Sequence, residues 1–205
     1  MLAVIDYEVG NLGSVYKAFR YLGAPVSLTK DPAELQKASG LILPGVGAFA
    51  EGAANLRRLG LESIIRERLQ KGTPFLGICL GLQLLFETSE ENAGSDRLAI
   101  GLGLCRGAVR RFPAGLKVPQ IGWNELKFTR PSPLFAGLQS GCHVYFLHSY
   151  YAAPADCRLV VATTDYGIDY CSAIELDNIY AVQFHPEKSG EVGLAILRNF
   201  CAICS

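Results

Sequence analysis

Phe75-Leu76-Gly77-Ile78-Cys79-Leu80-Gly81-Leu82-Gln83 is the stretch on which the reading of this chain turns. Residues 75–78 are a short apolar run that reads as a buried strand, and a helical pattern from about Leu80 to Phe86 follows at once. The junction, Gly77-Ile78-Cys79-Leu80-Gly81, places small residues on either side of a potential nucleophile. That pattern marks a sharp strand-to-helix turn, which lifts its central residue above the sheet edge. Unpaired N–H groups at the start of a helix favour negative charge. Cysteine benefits most, because the thiolate is its reactive form and such positions lower a thiol pKa. The Leu80 N–H would point toward an oxyanion formed on a carbonyl attacked by Cys79. Taken alone, the pentapeptide is equally compatible with a buried cysteine at a tight turn.

Working outward, the first half alternates strands and helices. Strands are expected at residues 2–6, 25–28 and 41–43, the last ending at Pro44-Gly45. Asn11 is placed to cap a helix reaching about Leu22, with Leu12, Val15, Phe19 and Leu22 on one face and Gly23 as its stop. Asp31-Pro32 opens a short helix, and residues 56–69 form another, ended by Gly72-Thr73-Pro74. Nearly continuous apolar strands alternating with helices mean a mostly parallel sheet covered on both faces. The second half runs strand after strand, at residues 108–112, 125–128, 143–151, 159–164, 173–176 and 180–184, before a final helix over 190–201. Such strands add antiparallel to the sheet. Residues 87–96 are polar and read as a surface loop. One α/β domain over residues 1–205 is expected, with no linker or repeat.

Composition narrows the function. Nineteen Lys and Arg balance nineteen Asp and Glu, which gives no basic footprint for nucleic acid and no polybasic face for a membrane surface. The longest apolar run, residues 75–86, is far below the ~18–20 residues a membrane span needs. Met1-Leu2-Ala3-Val4-Ile5-Asp6 has no basic segment before its apolar residues, so no signal peptide is read and the cytoplasm is expected. Seven cysteines at irregular spacing suit free thiols in a reducing compartment. Cys201 and Cys204 have redox spacing but no second ligand pair. His143 and His148 lie five apart on one strand and face opposite sides. No metal and no cofactor are expected.

A base for Cys79 is available in His185-Pro186-Glu187. Proline holds the residue before it extended, and residues two apart in an extended segment share a side. His185 can therefore take the thiol proton while Glu187 fixes its ring. Pro44-Gly45-Val46-Gly47 ends the third strand with a glycine-rich turn whose N–H groups, at Val46 or Gly47, could join Leu80 in holding an oxyanion.

In this order, the Cys79, Pro44-Gly45-Val46-Gly47 and His185-Pro186-Glu187 segments resemble the class I (triad-type) glutamine amidotransferases. Asp6-Tyr7-x-x-Gly10-Asn11-Leu12-x-Ser14-Val15, Pro119-Gln120-Ile121-Gly122-Trp123-Asn124, Phe146-Leu147-His148-Ser149-Tyr150-Tyr151 and the Glu187-Lys188-Ser189 ending are similar to the glutaminase subunits of imidazole glycerol phosphate synthases. The resemblance implies a flavodoxin-like amidotransferase fold and hydrolysis of L-glutamine through a Cys79 thioester. It assigns His185 as base and acid, and Glu187 as orienter. It places Gly47, Gln83, His148, Ser149 and Tyr150 around the substrate. It also implies a heterodimer with a (β/α)8-barrel cyclase, docked through Asn11, Ser14, Trp123, Asn124 and Lys188, which receives the ammonia and makes imidazole glycerol phosphate and aminoimidazole carboxamide ribotide. The rival readings are the amidotransferase subunit of another synthase, a cysteine peptidase, and a flavodoxin-like binding module without turnover.

Overall fold

Three of the four apolar runs of the first half become strands with no exposed side, while the strand Val26–Thr29 exposes Leu28. The computed structural model describes residues 1–91 and 98–205. The chain passes through β1 (Leu2–Ile5), α1 (Leu12–Tyr21), β2 (Val26–Thr29), α2 (Pro32–Lys37), β3 (Gly40–Gly45), α3 (Phe49–Arg58), α4 (Leu61–Gln70), β4 (Phe75–Cys79) and a single-turn α5 (Leu80–Gln83). Then come β5 (Phe86–Ser89), β6 (Ala99–Ile100), β7 (Cys105–Arg111), β8 (Gln120–Glu125), β9 (Lys127–Phe128), β10 (His143–His148), β11 (Tyr150–Pro154), β12 (Val160–Asp165), β13 (Asp169–Leu176), β14 (Ile179–Val182) and α6 (Gly190–Ile203). β1, β3, β4 and β14 are buried at every residue. They lie together in the order β2-β1-β3-β4-β14, all parallel.

Strand periodicity sorts their side chains into two cores. Ala3, Ile5, Leu41 and Leu43 point to one face, where Leu35, Phe49, Leu56 and Ile65 bring in α2, α3 and α4. Leu2, Val4, Ile42, Leu76 and Ile78 point to the other, against Val15 and Phe19 of α1 and Ile196, Leu197 and Phe200 of α6. Phe19 and Phe200 meet edge to face, 6.5 Å between centroids. Each such fully buried ring contributes about 1.5–3 kcal/mol of transfer free energy.

Beyond β14 the sheet changes sense. β13, β11 and β7 follow antiparallel, and β5 closes on β7 in parallel with β6 at the edge. β12 and β9 extend from β13, while β8 and β10 form a separate two-stranded ribbon.

Several sequence expectations change here. The helix expected over residues 56–69 is two helices. α3 ends and α4 begins at Gly60, whose φ of 68° a right-handed helix does not accept. The helix expected to reach Phe86 stops at Gln83, because Leu82, Leu84, Leu85 and Phe86 are all fully buried and no face is left for solvent. Leu84 and Leu85 instead give their carbonyls to the N–H groups of Leu102, Leu104 and Cys105. The strand expected over residues 143–151 breaks at Ser149, so β10 serves the ribbon and β11 the main sheet. The strand expected over 125–128 likewise breaks at the buried Leu126. Of the expected loop at 87–96, residues 87–89 belong to β5, and 92–96 lie outside the described residues. Asn11 precedes α1 with φ 69° and makes no side-chain cap.

Candidate active site

The carboxyl ends of β3, β4 and β14 converge, which is where open α/β sheets place their ligands. Gly45, the last residue of β3, pairs with Cys79, the last of β4. Cys79 is held at φ 54° and ψ −105°, a strained geometry for a residue with a side chain. Shape enforces it. A Cβ on Gly81 would collide with the Leu43 carbonyl oxygen, and one on Gly77 would stand 2.9 Å from the Gly81 carbonyl. The two glycines of the pentapeptide therefore let the turn press flat against β3. Since α5 has only four residues, the field at the sulfur comes from nearby N–H groups rather than from a long helix.

The other side of the site is held by hydrogen bonds. His185 is extended at φ −103° and ψ 94° before Pro186, and its N–H donates to the Tyr145 carbonyl at 2.9 Å. Ser189 Oγ donates to the His185 carbonyl at 2.7 Å and accepts from the Tyr145 N–H at 3.0 Å. A Cβ on Gly193 of α6 would collide with the Pro186 carbonyl, so this helix packs directly on the turn. Glu187 Oε1 lies 2.9 Å from His185 Nδ1, with both side chains 1% exposed or less. The carboxylate can only accept, so Nδ1 carries the proton and Nε2 is left without a hydrogen-bond partner. Burial pulls the His185 pKa down, but the Cys79 sulfur and the Glu187 carboxylate more than offset it and hold the group at about 10. The imidazolium is thereby kept at neutral pH.

Asn11, expected on a docking surface and as a helix cap, has its amide inside the site. Its Nδ2 donates to Glu187 Oε1 at 2.7 Å. The segment before it touches the glycine-rich turn through a bridge between Gly10 and Val46. Beneath that turn lies Tyr7, fully buried, with its hydroxyl unpartnered and its pKa raised well above the usual phenol value by burial.

A cavity of about 270 Å³ opens over the sulfur. Val46, Gly47, Leu80, Gln83, His148, Ser149 and Tyr150 all line it, so the residues expected at the oxyanion and at the substrate share one space with Cys79. The break at Ser149 is what turns the last two of them inward. Gln83 Nε2 donates to the Tyr150 carbonyl at 2.9 Å. His148 Nδ1 bonds the same carbonyl at 2.9 Å, and its Nε2 is 3.2 Å from the Tyr170 hydroxyl. Burial drives the His148 pKa down to about 3, so this ring is neutral.

Three lining residues were not expected at the site: Glu91, which the sequence reading passed over, and Pro119 and Leu147, which it quoted only within motifs. Among the described residues Glu91 is the only carboxylate that lines the cavity, and its Oε2 accepts from the Phe49 N–H at 2.6 Å. It stands in a polar tract where nothing local distinguishes it from Glu87 or Glu90. Burial raises Cys105 to about 11 and Cys171 and Cys204 to about 12, which makes these three poor nucleophiles. Among the described residues no group of three His, Cys, Asp or Glu could hold a metal.

Of the residues expected to dock a partner, Trp123 and Lys188 share one exposed flank beside Tyr145. Trp123 is 54% exposed and Ile121 59%. Trp123 meets Tyr145 edge to face at 6.1 Å, and Lys188 Nζ stands 6.0 Å from the same ring. Ser14 is exposed on α1, and Asn124 Oδ1 accepts from Gln120 Nε2 at 2.9 Å.

The strained cysteine elbow, the buried His–Glu pair and the glycine-rich turn meet at the ends of the parallel strands, an arrangement suited to thiol-dependent acyl transfer. Residues 3–204 match the family described as glutamine amidotransferase class-I, and the chain belongs to that family. It is 52% identical to the imidazole glycerol phosphate synthase subunit HisH of Moorella thermoacetica, over 97% of this chain and 93% of that protein. It is also 52% identical to the subunit of that name from Aquifex aeolicus, over 96% of this chain and 94% of its relative. Among solved structures, PurLQS from Thermotoga maritima superposes with a TM-score of 0.78 at 20% identity, covering 100% of this chain and 98% of that one. A structure described as a glutamine amidotransferase gives a TM-score of 0.76 at 20% identity over 98% of each. These two likenesses carry the fold.

Proposed function

We propose that this chain is the glutaminase subunit of an imidazole glycerol phosphate synthase in histidine biosynthesis, with Cys79, His185 and Glu187 as its catalytic residues. The observation that carries the assignment of roles is the buried His185–Glu187 pair, with its free Nε2, held beside the strained Cys79. The Cys79 thiolate adds to the side-chain amide carbon of L-glutamine. The Leu80 N–H, with an N–H from Val46 or Gly47, receives the oxyanion. His185 gives its proton to the departing nitrogen, the C–N bond breaks, and ammonia leaves a glutamyl thioester. The neutral imidazole then takes a proton from water, whose oxygen attacks the thioester. The C–S bond breaks, and glutamate and the thiolate–imidazolium pair are regenerated.

Gln83 uses Nε2 on protein acceptors, so it presents only its oxygen to a ligand. With the Glu91 carboxylate, that makes an acceptor end suited to an α-ammonium group. Ser149 and the N–H groups near it suit the α-carboxylate. The partner is a (β/α)8-barrel cyclase that takes up the ammonia and docks through Asn11, Ser14, Trp123, Asn124 and Lys188. The cytoplasm suits seven cysteines that form no disulfide here; no described helix is long and apolar enough to cross a membrane.

The test is glutamate release by the chain alone, with the cyclase, and with the cyclase's nucleotide ligand. Turnover should depend on the complex and fall by about 10⁴ or more in Cys79→Ala. Turnover that survives this substitution would remove the mechanism. No turnover under any condition would remove the assignment.

A further inference from the structure

The hydrogen bond that Cys79 receives comes from a residue with no role so far. Gln183 continues β14 toward His185 and is fully buried. Its backbone N–H is used on the Ser172 carbonyl at 2.9 Å. Its side-chain Nε2 stands 3.5 Å from Cys79 Sγ, and its Oε1 accepts from Gln83 Nε2 at 3.1 Å.

An amide can face either way, so its polarity must come from its neighbours. Here the Tyr150 carbonyl sets it. A carbonyl only accepts, so the group Gln83 turns toward it is the NH2, at 2.9 Å. The second hydrogen of that NH2 points to Gln183, which must answer with its oxygen. The Gln183 nitrogen is left facing the sulfur, and an amide nitrogen donates but does not accept. It therefore strengthens when the sulfur is a thiolate and gives nothing to an S–H proton. That proton reaches the Leu147 carbonyl instead, a long 3.9 Å away.

We propose that Gln183 is a positioning residue for glutamine hydrolysis: it fixes the Cys79 sulfur and favours its thiolate through an amide hydrogen bond, with its polarity set by Tyr150 through Gln83. The proposal rests on the glutaminase reading above. Being uncharged, Gln183 adds this stabilisation without competing with His185 for the ion pair. Besides His185, the titratable groups around the sulfur among the described residues are Tyr7, from the segment after β1, Tyr170 of β13, and Glu91, His148 and Tyr150, which line the same cavity. Burial raises the phenols of Tyr7 and Tyr170, so both stay neutral at neutral pH and well above it. His148, on the far side of the cavity, is neutral as well.

The test is the pH dependence of Cys79 alkylation by iodoacetamide in the complex with the cyclase, read by mass spectrometry of the Cys79 peptide. Gln183→Met keeps the volume and removes the donor. Gln183→Glu keeps the shape, still accepts from Gln83, and turns a carboxylate toward the sulfur. The alkylation midpoint should rise by about one pH unit in Gln183→Met and further in Gln183→Glu, with kcat falling about tenfold or more and KM within about threefold. Unmoved midpoints in both variants, with kcat lost in proportion to thermal stability, would reduce Gln183 to packing and overturn the proposal. Because alkylation needs no turnover, this outcome is separate from failure of the glutaminase reading, which Cys79→Ala addresses.

Discussion

The two sides of the site are held by different physics. Cys79 is held by shape: glycines at 77 and 81 bring backbone against backbone, and the nucleophile takes a strained φ because nothing else fits. His185 and Glu187 are held by polarity, through Asn11 on the carboxylate, Tyr145 and Ser189 on the backbone, and Nδ1–H on Oε1. A steric clamp fixes where the sulfur is and responds little to pH. A polar clamp fixes which proton is where and does respond. Substitutions on the two sides should therefore fail in different ways.

The largest effect is expected from Glu187→Gln. The shape remains, but the neutral amide can turn its NH2 to Nδ1 and invert the tautomer. Turnover in the complex should drop by about 10²–10⁴ with the melting temperature changed far less. A drop below tenfold would show that the carboxylate does not orient the ring.

Gly81→Ala should fail the other way. Its methyl group meets the Leu43 carbonyl, and backbone cannot step aside as a flexible side chain can. A loss of about 3 kcal/mol or more is expected, read as a lower urea midpoint or as absence of soluble protein. Activity per folded molecule would fall as the elbow shifts. A variant of wild-type stability would mean that the turn after β4 sits less closely on β3 than its contact with the Leu43 carbonyl implies.

A smaller effect separates the sides by pH. The His185 pKa is raised in the folded chain. Its contribution to stability is complete below the ordinary histidine value and is lost as pH climbs through about 10. In Glu187→Gln one of the groups holding the imidazolium is gone, so the same loss should come at lower pH. The two proteins should then differ most in urea midpoint from near neutral pH down to the ordinary histidine value, by on the order of 1–2 kcal/mol, and should converge as pH climbs toward about 10. Parallel pH profiles would count against the ion pair.

The legible parts of this chain were those in which local pattern and tertiary demand agree. Buried parallel strands must be apolar throughout, so β1, β3 and β4 announce themselves. The cysteine elbow needs its glycines, and Pro186 fixes His185 locally. The breaks at Gly60, Gln83 and Ser149 were hidden because the apolar pattern runs on across them. A fully apolar run from Leu84 to Phe86 suits a buried helix and a buried strand equally well, and only pairing with β7 decides. Glu91 was hidden by its acidic neighbours. Gln183 did leave a signal, a polar residue in an apolar run beside a histidine, but its partner sulfur lies on another strand. Asn11 had a signal that pointed elsewhere: asparagine before a helix reads as a cap, while its amide is used on a carboxylate far along the chain.

Asn11 also supplies the finest test of the comparison, because it belongs to both kinds of clamp. Its φ of 69° costs a residue with an ordinary Cβ roughly 1 kcal/mol, which asparagine tolerates and glycine avoids. Its amide holds Glu187. Asn11→Gly removes the hydrogen bond and keeps the backbone at ease, whereas Asn11→Ala removes the bond and adds strain. Turnover in the complex should fall equally in the two, by about threefold to tenfold, as expected for a bond to a carboxylate that remains paired with His185. The melting temperature should fall further in Asn11→Ala, by a few degrees for about 1 kcal/mol in a chain of this size. Equal stabilities with unequal activities would reverse the assignment, making Asn11 a matter of backbone geometry first and of the carboxylate second.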